Sequence, residues 1–171
     1  MKKILFVLFI LIEYSILHAE EVYQSPDDFL VQTFGEIPEA QRITLSGDLA
    51  KEVKIILGHR YKKIRIPYWK NECRSAWILE EIGKERYITT GLVVNSQGLE
   101  KVKVLIFRES RGWEIKQAFF SEQFINAKLT HNNKLDKNID NISGATLSVR
   151  AVTDISRMAL LLHDRVMMGS C

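Results

Sequence analysis

The run from Thr90 to Phe107 limits this chain more than any other stretch. Two β-rich segments flank Asn95-Ser96-Gln97-Gly98, and turn chemistry between such segments predicts an antiparallel hairpin. The second strand alternates. Val102, Val104 and Ile106 share one side and Lys101 and Lys103 the other, the pattern of a sheet covered on one surface. Ile64-Arg65-Ile66, cut off by Pro67, and Ala76 to Ile82, followed by Gly83, supply further strands, for a sheet of about four.

Helices account for most of the remainder. Ser25-Pro26-Asp27-Asp28 joins a capping serine, a proline suited to the first helical position and two acids that suit the helix dipole. Phe29, Leu30, Val31 and Phe34 form its apolar side, and Gly35 ends it. A second helix follows Leu45-Ser46-Gly47-Asp48, carries Leu49, Val53, Ile56 and Leu57, and closes at Gly58. The longest helical pattern comes last: Val149, Val152, Ile155, Ala159, Leu162 and Val166 recur at three and four, while Arg150, Asp154 and Arg157 lie elsewhere and pair along the surface. The predicted fold class is α+β, a small antiparallel sheet packed by helices.

Met1-Lys2-Lys3, an apolar run from Ile4 to Leu17 and Leu17-His18-Ala19 ahead of Glu20-Glu21 read as a secretory signal peptide over 1–19. Glu13 breaks the run and Leu17 is bulky near the cut, so an uncleaved leader serving as a membrane anchor is the alternative. The expected location is the periplasm. Removing 19 of 171 residues leaves 152, enough for a single domain over 20–171 with its own core. The net charge of +3 for the whole chain comes from cations spread among acids, with only Arg60, Lys62, Lys63 and Arg65 clustered. That pattern argues against nucleic acid as a partner. Cys73 and Cys171 either form a disulfide or remain free thiols, and His18, His59, His131 and His163 show no metal-ligand spacing, so no metal site is expected.

The chemistry concentrates in Asp140-Asn141-Ile142-Ser143-Gly144-Ala145-Thr146-Leu147-Ser148, which opens the last helix. Ser143 suits the N-cap, Asp140 adds charge that the dipole favours, and Gly144, Ala145 and Thr146 would fill the first turn, whose amides lack helical partners and can face an anion. Gly144 and Ala145 leave the Thr146 hydroxyl open to another protein. On residue types alone, an ordinary capped helix start explains the same string.

Asp140-x-x-Ser143-Gly144-Ala145-Thr146 resembles the flavinylation motif of FMN-binding domain proteins, the family of the C subunit of sodium-pumping NADH:quinone oxidoreductase and the G subunit of Rnf complexes. The resemblance implies FMN as cofactor, joined as a phosphoester to Thr146 by a dedicated flavin transferase that takes FMN from FAD. Glu109-Ser110-Arg111-Gly112 resembles the family's Glu-Thr-Pro-Gly turn near the flavin. It implies roles for Glu109 and Gly112, with Arg111 either a local cation for a reduced flavin or a salt-bridging surface residue. Trp113 shields the ring or, as the plainer reading, plugs the core. Phe119 to Leu129 is similar to the family's aromatic stretch, with Asn126-Ala127 where glycine is common; its phenylalanines are read as core, with a minor contact to the flavin as the alternative.

No nucleophile sits with a base and no dinucleotide glycine fingerprint is present, so an electron-transfer flavoprotein is expected over a self-sufficient enzyme. It acts alone or in a membrane-associated redox chain, with an unidentified redox partner for which an integral-membrane protein is one candidate. Two other readings stand beside it: an exported binding or scaffold domain without redox function, and a reductase holding FMN without a bond.

Overall fold

The computed structural model describes residues 20–168; the expected leader and Cys171 lie outside the described residues. The β-rich runs become six strands: β1 Glu21–Val22, β2 Gln41–Thr44, β3 Arg65–Asn71, β4 Arg74–Ile82, β5 Tyr87–Asn95 and β6 Gly98–Phe107. They form one antiparallel sheet in the order β1-β6-β5-β4-β3-β2. The helices are α1 Pro26–Phe34, α2 Gly47–Leu57, the single turn α3 Ala118–Ser121 and α4 Thr146–Met167. The architecture is α+β, as expected.

The hairpin forms with Asn95 opposite Gly98, and the Asn95 side chain accepts from the Gln97 amide at 2.8 Å. The sheet has two more strands than expected, because β1 and β2 are short edges too polar and exposed to alternate. β3 also runs through Pro67 instead of stopping there. Pro67 lies opposite Arg42 of β2, and pairing to β4 begins only at Tyr68, so its missing N–H breaks no bond on the β4 side.

Ile106 does not share a face with Val102 and Val104. Register shifts lie between Thr89 and Thr90 and between Val93 and Val94, and an extra residue in a ladder turns everything beyond it to the opposite face. Val102, Val104 and Phe107 therefore pack under α4, while Leu105 and Ile106 join Phe29, Leu30, Ala76 and Val93 on the other face. The sheet is covered on both surfaces, not one.

α1 begins, and both helices end, as their sequences indicate, whereas α2 starts at Gly47, inside the stretch it was expected to follow. Ser25 accepts from the Asp28 amide at 3.0 Å, and Gly35 and Gly58 close the two helices with positive φ. α1 docks by setting the Phe29 ring on Gly91, where a Cβ would meet ring carbons at 2.7–2.8 Å. Phe29 is fully buried and has nowhere to go. Gly91→Ala is expected to lower stability by about 1–3 kcal/mol through overpacking; an unchanged denaturant midpoint would show that α1 rides freely on the sheet.

α4 lies across β4, β5 and β6 and also packs against α2, and nearly its whole circumference is buried. Asp154 is thus not a surface charge. It is 8% exposed and bonded to Arg157, with Arg150 at 3.5 Å, and burial raises its carboxyl above the ordinary range against the pull of both arginines. At the other end of the helix the Trp77 indole donates to Ser75 Oγ at 2.8 Å, and Ser75 Oγ shares a hydrogen bond with His163 Nδ1 at 2.7 Å. Burial lowers the proton affinity of His163, which favours the neutral ring.

Trp113 is not a core plug. It is 48% exposed, and Ile115, at 1%, is the buried residue of the same turn. Phe120 and Phe124 are core, meeting edge to face at 5.2 Å, while Phe119 is exposed. Asn126 supplies the left-handed backbone at φ 60° that a glycine there would give. The close approach is made from the partner side, where a Cβ on Gly98 would sit 2.4 Å from the Ala127 carbonyl. The clustered cations Lys62 and Lys63 lie 2.8 and 3.6 Å from Glu80. Cys73, in the β3–β4 turn, is disulfide-bonded.

Candidate functional site

Three loops meet at the start of α4. The first is the β4–β5 turn, closed by the Gly83 amide on the Arg86 carbonyl at 3.0 Å. Its next three amides, from Lys84, Glu85 and Arg86, converge on one oxygen of Glu109 at 2.5, 2.7 and 2.9 Å. Successive N–H groups pointing inward make an anion nest, and here the chain fills the nest with its own carboxylate. Glu109 is therefore the fastener of this wall. Gly83 leaves room for it, since a Cβ there would lie 2.8 Å from Glu109 Oε1.

The second loop continues from Glu109 to Gly112, which adopts φ 87°. A Cβ on Gly112 would press on Ser148 Oγ at 3.0 Å and Ala145 Cβ at 3.2 Å. Glycine thus provides both the left-handed turn and the approach to α4.

The third loop is the motif itself. Its Ala145 amide bonds the Ile142 carbonyl at 2.9 Å with Gly144 at φ 81°, a turn that needs positive φ at its third residue. That turn displaces the expected cap. The N-cap is Ala145, not Ser143, and Thr146 is the first helical residue. The first helical bond runs from Val149 to the Ala145 carbonyl at 2.9 Å, so the helix amides without a partner among the described residues are those of Thr146, Leu147 and Ser148, while the Ala145 amide is taken up by the turn. The Asn141 side chain, accepting from the Ile142 amide through one atom, donates through the other to Thr146 Oγ1 at 3.0 Å.

Together these loops enclose a cavity of about 530 Å³ lined by Lys84, Glu109, Arg111, Gly144, Ala145 and Thr146, with Ser110, Leu147 and Ser148 completing it. Of the residues singled out in the sequence, Thr146, Gly144, Ala145 and Glu109 line the cavity, and Gly112 buttresses it from behind. Ser143 and Asp140 are exposed and do not line it; the Asp140 amide is tied to Gln123 at 2.7 Å. Arg111 lines the cavity and makes no ion pair among the described residues, whereas Lys84 lies 3.2 Å from Glu85.

The sequence reading missed Gly83, Lys84, Asn141 and Leu147. Gly83-Lys84 had a signal, a glycine-led turn between two strands, but nothing in sequence placed that turn against Glu109. Asn141 occupies an unspecified motif position, so only geometry reveals its bond to Thr146.

The arrangement suits an anionic, partly apolar ligand attached at an alcohol. It offers an exposed hydroxyl beside partnerless helix amides, two cations, and a cavity within the range of small-molecule and cofactor sites. In comparisons with known proteins, residues 83–161 match the family model of the FMN-binding domain. That span runs from the β4–β5 turn through most of α4 and contains all three loops of the site. No curated protein and no solved structure matches the chain.

Proposed function

Because this chain carries an FMN-binding domain and FMN is its cofactor, we propose that it is an exported flavoprotein with FMN joined to Thr146 by a phosphoester, transferring electrons alone or within a membrane-associated redox chain. The observation that carries the reading is the Thr146 hydroxyl, exposed at the first position of α4 and opening on the cavity that Lys84 and Arg111 line. The residues present fit the cofactor. Helix amides and two cations suit a phosphate, and the cavity is large enough for a bulky planar group at its rim.

Attachment exchanges one bond for another. Thr146 Oγ forms a bond to the flavin-side phosphorus of FAD, the pyrophosphate bond breaks, AMP departs and the hydroxyl proton passes to solvent or to the transferase. Asn141 occupies one lone pair of Oγ1 and so fixes its direction, leaving another for phosphorus. Bound FMN supplies reversible electron chemistry, and the chain supplies the tether, the charge and the walls. The partners implied are the transferase, acting in the periplasm where loose FMN would diffuse away, and a redox protein for which the membrane is one location.

Co-expression with and without a flavin transferase, followed by intact mass and fluorescence on a denaturing gel, tests the reading. The expected result is a mass gain of one FMN and a fluorescent band only with the transferase. Flavin that leaves on denaturation points instead to a reductase with unbonded FMN, and protein with no flavin in either form points to a scaffold.

A further inference from the structure

A second cavity, of about 240 Å³, adjoins the first, and Leu147 lines both; its walls include Leu57, His59, Glu81, Arg150 and Asp154. Gly83 of this cavity directly precedes Lys84 of the other. At its mouth His59 is about half exposed, with Nδ1 2.9 Å from the Arg60 carbonyl and Nε2 3.1 Å from Glu81 Oε1. Both neighbours are acceptors. A neutral imidazole carries one N–H and leaves one contact unsatisfied, so only the imidazolium donates to both.

The partner carboxylate is held tightly. Glu81 is 5% exposed, its Oε1 also accepts from the Ile82 amide at 2.8 Å, and its Oε2 is enclosed with no partner among the described residues. A buried carboxylate with an unpaired oxygen is costly without its countercharge. From α4 the pair is faced by Asp154, itself bonded to Arg157 with Arg150 at 3.5 Å, and from its own segment by the Arg60 carbonyl. That carbonyl, aided by Glu81 and opposed by burial, raises the proton affinity of His59 above its ordinary value.

We propose that His59 and Glu81 form a redox-linked proton-binding site, in which electron uptake by the flavin in the neighbouring cavity and proton uptake by His59 favour one another. The proposal rests on FMN occupying the Thr146 cavity. Two electrons, delivered one at a time by an electron-carrier protein, would reduce the flavin, which takes one proton from solvent on its own account and keeps one added negative charge, in the cavity that shares Leu147 with that of His59. A second proton from water then binds the neutral His59 ring, restoring both donations; on reoxidation the electrons leave and both protons return to water. Linkage makes the coupling reciprocal: whatever raises the proton affinity of His59 on reduction raises the potential of the flavin on protonation.

The test uses the flavinylated protein, with midpoint potentials measured against pH for wild type and His59→Gln. Wild type is expected to show an added slope of about 30 mV per pH unit, one proton per two electrons, between the pH at which His59 titrates in the oxidised form and the higher pH at which it titrates in the reduced form; His59→Gln lacks it. Ring-nitrogen NMR of His59 gives a reading independent of redox turnover. In unflavinylated protein both nitrogens are protonated in the acid form and Glu81→Gln lowers the titration point, while in flavinylated protein reduction raises it. Identical potential profiles for the two proteins, or one titration point in both redox states, overturns the proposal. Protein that never acquires flavin overturns the Thr146 reading and this proposal with it, and the missing chromophore identifies that failure before any potential is measured.

Discussion

Thr146→Ala is expected to abolish covalent flavin while leaving the fold intact. Only a hydroxyl and a methyl group are removed, at an exposed first helical position where the side chain has one partner, Asn141. The core beneath depends on Ala145 and Val149, which are untouched. Loss of stability should stay within about 1 kcal/mol, as for surface changes away from caps and cores. The flavin, by contrast, is retained or lost as a whole: the mass gain disappears and the denatured band goes dark. Thr146→Ser keeps the oxygen and should retain attachment. Neighbouring hydroxyls make poor substitutes, because Ser148 is 4% exposed and Ser143 stands outside the cavity. If Thr146→Ala protein gains the full FMN mass under the same conditions, the phosphoester assignment fails.

The strongest local signals in the sequence lead to the right elements. Ser25 with Pro26, Gly58, the Asn95–Gly98 turn and the period of α4 all describe structure that forms, because each is settled by residues a few positions apart. What the sequence conceals is set by distant partners. The bulge at Leu105 that turns Ile106 to the α1 face depends on how β5 and β6 pair, and no alternation within β6 alone reveals it. Asp154 reads as a surface charge by helical period, yet α2 and the cavity walls enclose it.

At the site the same division holds. The motif string fixes which threonine begins α4, but Gly144 diverts the chain into a turn before the helix starts, moving the cap from Ser143 to Ala145. Glu109 and the Gly83–Arg86 turn are more than twenty residues apart, so the nest they form is invisible until the sheet brings β4, β5 and β6 into register. His59 and Glu81 meet for the same reason. A histidine with no metal-like spacing looks idle in sequence and acquires a partner only in three dimensions.

Glu109→Ala should do more damage to the site than any other single change outside Thr146. The carboxylate accepts three amides at one oxygen, and hydrogen bonds to a charged acceptor are worth more than neutral ones. Their loss releases the Gly83–Arg86 turn, whose residues are otherwise largely exposed. Part of the cost returns as the freed amides bond to water, so a net destabilisation of about 2 kcal/mol is expected. Amide exchange of Lys84, Glu85 and Arg86 should accelerate well beyond that of the β5 ladder, since these three protons lose a common acceptor while the sheet stays paired. With Lys84 no longer held against the α4 start, flavin attachment should fall although Thr146 is intact. Glu109→Gln separates charge from shape: its amide oxygen still accepts, so the turn remains more protected than in Glu109→Ala, with the loss of charge accounting for the remaining difference. Were the exchange of those three amides unchanged in Glu109→Ala, the carboxylate would be a bystander, and the wall facing Thr146 would owe its position to the strands alone.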